Sequence, residues 1–145
     1  MVMAPHGNRA IWTDGRILMS RNTGPFNLEA LILSTERTRE ERIRLTESGP
    51  WGSVAIIDGS VMFTAEALDM IRQNMRDPER NGNLVASAFV VSPETEGYHL
   101  CEAILGPVYA LAGAAFRIFE DVDTARMWVA AKIDAAANGE VGDCA

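Results

Sequence analysis

The chain has 145 residues, 48% of them hydrophobic, with 20 acidic and 13 basic side chains and a formal net charge of −7. That length suits one domain, and the apolar share is enough for a core, so wholesale disorder is excluded. The negative balance argues against a nucleic-acid partner and against docking on an anionic membrane surface, since both need clustered positive charge.

Residues 10–13 and 17–21 flank Asp14-Gly15, a pair that predicts a β-hairpin turn. Gly24-Pro25 stops the second strand, and Asn27 is placed to cap a helix from Leu28, where Leu28, Leu31 and Ile32 form an apolar stripe. Residues 36–44 are dense in charge, which predicts a solvated helical end supported by pairs four apart such as Glu40 and Arg44. Gly49-Pro50 ends that helix. Residues 53–58 are a short β-branched run and read as a buried strand. Thr64 then precedes Ala67, Leu68, Ile71 and Met75 at helical spacing, with charge on the opposite face. A polar turn follows at residues 77–83, and residues 84–91 predict a central strand.

Residues 100–112 carry apolar side chains at helical spacing, with Gly106-Pro107 expected to kink or break the helix. Gly113 is a natural stop. Residues 115–119 predict a last strand and Asp121 a cap for a final helix, with Ala125, Trp128, Val129 and Ile133 as its buried stripe. The order β-β-α-β-α-β-α-β-α predicts an α/β fold. Its sheet is small, mixed and mostly parallel, with about five strands, about four helices, and the N-terminal strands as an antiparallel edge. The expected organisation is a flexible N-terminus at 1–9, one domain at 10–137 and a flexible tail at 138–145.

The longest apolar candidate, residues 100–119, is interrupted by Glu102, Gly106, Pro107, Gly113 and Arg117, so no transmembrane segment is expected. The start, MVMAPHGNRAIW, has no uninterrupted apolar run and does not read as a signal peptide. Cys101 and Cys144 lie far apart, which fits a reducing cytoplasm rather than a disulfide framework.

Catalytic constellations are sparse. His99, Cys101 and Glu102 are close in sequence, but residues two apart do not share a helix face, and His6 lies in the unanchored N-terminal segment. That run reads as a packed Cys101 with His99 and Glu102 at the surface, and no metal is expected. Neither His sits in a nucleophile-elbow or triad context, and no glycine-rich phosphate loop is present. The turn from Asp58 through Ser60 to Thr64 stands out because it joins a strand's carboxyl end to a helix start. Ligands gather at that end of open sheets, and a helix N-terminus attracts anions. The structural alternative is that Asp58 and Ser60 stabilise the turn and Thr64 caps the helix.

The element order and several local strings resemble the STAS-like family, the small domains related to bacterial anti-sigma-factor antagonists, and within it the SpoIIAA-like proteins. The strings are Asp14-Gly15-Arg16, Gly24-Pro25-Phe26-Asn27, the strand and turn at 54–60, and Phe119-Glu120-Asp121 leading to Ala125 and Trp128. The resemblance covers about residues 10 to 135. It implies a binding domain that is switched by phosphorylation of a serine at the helix start. This chain departs from the pattern there, with Ala65 or Glu66 at the serine's place, Thr64 as the nearest hydroxyl, and Glu66 as a carboxylate where phosphate would add charge.

The expected function is therefore non-enzymatic and cofactor-free: contact with a protein partner through Asp58, Ser60, Thr64 and Glu66, or with a small apolar or anionic ligand. The alternative is a lipid or small-molecule carrier with a pocket between helices and sheet, opened by the Gly106-Pro107 break and filled adaptably by seven Met. An edge strand near Ala10, or the apolar part of the final helix, offers a homodimer contact.

Overall fold

The computed structural model describes residues 10–139. The segments at 1–9 and 140–145, with His6 and Cys144, lie outside the described residues. Strands β1 (Ile11–Asp14) and β2 (Ile17–Thr23) form the hairpin, with Asp14 paired to Ile17. The two-residue turn is therefore Gly15-Arg16, one position beyond the Asp-Gly pair. Gly15 supplies the positive φ, 61°, that a tight hairpin turn requires. Helix α1 (Leu28–Ser48) starts at Asn27, whose Oδ1 accepts from Ala30 N at 2.9 Å. The chain continues through β3 (Trp51–Asp58), α2 (Ala65–Met75), α3 (Pro78–Asn81), β4 (Leu84–Val90), α4 (Tyr98–Ala110), β5 (Ala115–Phe119) and α5 (Val122–Ala137).

The fold is α/β, with one mixed, mostly parallel sheet in the order β1-β2-β3-β4-β5. Only β1 is antiparallel, because β2 already runs parallel to β3. Every crossover steps the same way across the sheet. Right-handed connections then put α1, α2 and α4 on one face, and α5, after the last strand, covers the other by packing on β3 and β4. A steady strand order has no reversal point, so the crevice that such a reversal opens in doubly wound sheets is not built here. Among the described residues, no helix is long and apolar enough to cross a membrane.

Two elements differ from the sequence reading. Residues 78–81, expected as a turn, form a helical turn because Asp77 Oδ1 accepts from Glu79 N at 3.0 Å and Pro78 suits a first helical position. Helix α4 runs through Gly106-Pro107 without a break. Ala103 and Pro107 lie on its exposed side, where water can take up the carbonyl that proline leaves unbonded.

The two faces of the sheet are packed differently. On the α5 face, Ile17, Met19, Val54, Ala86, Ala88 and Val90 meet Ala125, Val129 and Ile133. The helix comes close because Gly52 has no side chain: a Cβ there would stand 2.3 Å from Val129 Cγ1 and 2.9 Å from the Ala86 carbonyl oxygen. Gly52→Ala is expected to destabilise the fold by about 1–3 kcal/mol. Urea unfolding would show this as a lower midpoint with an unchanged slope.

Candidate functional site

On the opposite face, α1 is held firmly at its carboxyl end. No basic residue lies in its last turn, and its unpaired carbonyls need donors from elsewhere. The hairpin turn supplies them. Arg16 donates from Nη2 to Leu45 O at 3.1 Å and Gly49 O at 2.8 Å, from Nη1 to Ser48 Oγ at 3.0 Å, and from Nε to Pro50 O. Thr46 adds a second anchor. Its Oγ1 donates to Arg80 O at 2.6 Å and accepts from Trp51 Nε1 at 2.9 Å, while its carbonyl accepts from Asn83 Nδ2 at 2.7 Å. Midway, Asn74 Nδ2 of α2 donates to Thr35 Oγ1 at 2.9 Å. The backbone of α1 thus packs on α2 and α3 rather than on the strands.

The inward stripe of α1 is Leu31, Thr35, Thr38, Arg42 and Leu45, at alternating steps of four and three. Its middle is polar, and the facing sheet positions Ser20, Ser53 and Ala55 are small. Helix and sheet therefore cannot close on each other there, and a cavity of about 390 Å³ remains between them. Leu18, Ile57, Phe26, Phe63, Ile71 and Phe89 give it apolar walls. Its mouth lies between α1 and the hairpin, where the lining residues Ala10, Arg21, Thr23, Leu33 and Arg37 are exposed.

The inner end of the cleft is polar and satisfied mainly within itself. Ser53 and Ser87, paired across β3 and β4, share a buried 2.5 Å hydrogen bond. Arg42 donates from Nε to Thr38 Oγ1 at 3.1 Å and from Nη1 to Asn81 Oδ1 at 2.8 Å, and it lies over the Trp51 ring at 5.5 Å. The residue is half-buried, but its guanidinium end is deep enough that burial holds its pKa below the ordinary arginine value. The neighbouring Tyr109 opposes that shift and the Arg80 charge adds to it. Burial also raises the Tyr109 phenol above its usual range, against the pull of Arg42.

The sequence-predicted residues Asp58, Ser60, Thr64 and Glu66 sit together on the strand–turn–helix segment after β3, outside this cleft. Asp58 is exposed, and its carbonyl accepts from Gly24 N at 2.9 Å and Ser60 N at 3.1 Å. Ser60 is only 4% exposed, and its Oγ accepts from Met62 N at 3.1 Å. Thr64 Oγ1 accepts from Ala67 N at 3.2 Å as the cap of α2, and Glu66 is exposed in that helix's first turn. The segment is locked in place by Gly24, where a Cβ would stand 1.9 Å from Ser60 O, and by stacking of Phe26 on Phe63 at 4.9 Å.

The carrier alternative anticipated a pocket between helices and sheet, but not the elements that open it. Gly106 and Pro107 do not line the cleft, and Met75 is its one methionine. The polar residues of α1 that line it, Thr38 and Arg42, went unnoticed in the sequence because residues 36–44 read as a solvated end. The available signal was the four-three spacing that carries Leu31 on to Leu45 through Thr35, Thr38 and Arg42. On α4, Cys101 is buried and Glu102 Oε2 accepts from Ile118 N at 2.9 Å, covering an otherwise open donor on edge strand β5. Burial pushes the Cys101 thiol up to about 12, and the Glu102 charge adds to the shift.

No protein-family model, no curated protein and no solved structure matches the chain.

A double-mutant cycle tests the Ser53–Ser87 pair. Ser87→Ala should cost about 1–3 kcal/mol by leaving the buried Ser53 hydroxyl without its partner, Ser53→Ala should cost less because Ser87 keeps its bond to Tyr109, and the double variant should lie nearer wild type than the two singles summed. Cys101 should resist maleimide in the native state, tested in a Cys144→Ser background, and react on unfolding. Because folding raises its pKa, the unfolded chain loses that proton first as pH rises. The stability it contributes is complete below about pH 9 and is lost towards pH 12. Denaturant midpoints across that window would show the decline, and Cys101→Ala should make it shallower, leaving the part that the raised Tyr109 phenol contributes.

Proposed function

We propose that this protein is a non-enzymatic binding domain that holds a small, largely apolar ligand in the cleft beneath α1. The observation that carries this reading is the cavity of about 390 Å³ with apolar walls and a polar inner end, opening between α1 and the hairpin. Its size lies in the range of small-molecule sites. It also has a built cause: α1 is tied at its end and along α2 and α3, and small residues face it from the sheet. The reading keeps the resemblance to STAS-like domains as a proposal about ancestry, and a cytoplasmic location with it.

A second reading, contact with a protein partner, is favoured by the exposed side chains of Asp58, Thr64 and Glu66 on one rigid segment. A kinase-driven switch at Ser60 is disfavoured by its burial. The same segment forms part of the frame around the cleft, since Phe63 stacks on Phe26 and both line the cavity.

The neutral fluorophore N-phenyl-naphthylamine tests the cleft. Wild type should bind it saturably, with enhanced emission. Ala55→Phe, which places a ring in the cavity, should abolish the enhancement while preserving the unfolding midpoint, and Thr64→Ala should leave it unchanged. Retained binding in a folded Ala55→Phe variant would remove the cleft from the account.

A further inference from the structure

The charges around the cleft are one-sided. The chain has 20 acidic residues against 13 basic ones, yet three arginines (Arg37, Arg42 and Arg80) and no described Asp or Glu turn their charge to the α1 side of the cavity; Arg21, also in its lining, places its guanidinium over the Trp12 ring on the opposite face of the sheet. Only Arg80 has an acidic partner, Asp77, at 3.5 Å. Among the described residues, the ion pairs are otherwise made by Arg44, Arg72 and Arg126, so Arg21, Arg37 and Arg42 have no carboxylate within 4.0 Å.

Arg42 is the decisive member. Its Nε and Nη1 are held by the neutral acceptors Thr38 and Asn81, and its Nη2 makes no hydrogen bond among the described residues. Neutral acceptors orient a guanidinium without cancelling its charge, and a half-buried cation without a counter-ion is unfavourable. Trp51 offers a ring face rather than an anion. Arginine presents a planar fork that suits a carboxylate through charge-assisted hydrogen bonds. The apolar walls of Leu18, Ile57 and Phe89 lie in the same cavity. An occupant that satisfies both features has an apolar body and one anionic head. Arg37, exposed at the mouth, adds a positive charge there to a molecule that is negative as a whole.

We propose that the cleft selects an acidic amphiphile, its carboxylate head paired with Arg42 and its hydrocarbon body against the sheet. This rests on the reading of the cleft as a ligand site and adds the class of ligand.

Calorimetric titration of the full chain with decanoate, decanol and inorganic phosphate separates the two claims. Decanoate should bind at least about tenfold more tightly than decanol, the equivalent of one charge-assisted hydrogen bond, and phosphate alone should bind far more weakly than either. In Arg42→Met, decanoate affinity should fall to that for decanol while decanol affinity holds. If neither decanoate nor decanol binds wild type, the ligand-site reading itself fails. If both bind equally, or if a folded Arg42→Met variant keeps the preference, the cleft stands and the selectivity is overturned. Phosphate binding as tightly as decanoate would overturn the amphiphile class. Should Arg42→Met fail to fold, the wild-type comparison of acid with alcohol decides alone.

Discussion

The architecture turns on how α1 is attached. A helix of 21 residues with only Thr38 and Leu45 buried cannot be held by an apolar stripe of its own. It is held instead by polar contacts concentrated at its carboxyl end, where Arg16 from the hairpin turn bonds three backbone carbonyls and a serine hydroxyl. Charge-assisted bonds to helix-terminal carbonyls are among the stronger local contacts available. They are also positional: they fix where the helix ends without drawing its middle onto the sheet.

The consequence is visible in the contrast between the two sides of the sheet. On the α5 side, Gly52, Ala86 and Ala88 are small so that a helix can come close, and Val129 fills the space. On the α1 side, Ser20, Ser53 and Ala55 are small, but the middle of α1 sends no large apolar side chain to meet them. The same residue sizes that give intimate packing on one face give a cleft on the other. The difference lies in the partner helix, whose inward stripe carries Thr35, Thr38 and Arg42 where α5 carries Ala125, Val129 and Ile133. Buried polar groups are tolerated because they satisfy one another, as Ser53 does with Ser87 and Arg42 with Asn81.

Much of the fold was legible in the sequence, because periodicity and caps are local. Asn27, Thr64 and Asp121 each accept a hydrogen bond at the helix start predicted for them. The mostly parallel sheet follows from alternation and handedness, whereas the strand order is set by the tertiary pairings. The cleft was less legible because it depends on distant pairings. Arg16 is an ordinary turn residue until α1's end is brought beside it, and Arg42 looks like one charge among many until Asn81 and Trp51 surround it. Gly106-Pro107 misled in the opposite direction, since a proline on an exposed helix side breaks nothing. The turn at Asp58 and Ser60 was recognised as a distinct place, and its side chains hold local structure there.

The account stands or falls on whether α1 and the sheet enclose an occupiable space. The most direct measurement is an isotope-filtered nuclear Overhauser experiment on labelled protein with unlabelled decanol. The account predicts contacts from the ligand chain to methyl groups on both walls, Leu18 and Ile57 of the sheet and Ala30 and Leu31 of α1. Contacts confined to the exposed Leu100 and Ile104 of α4, or none at saturating ligand, would contradict it.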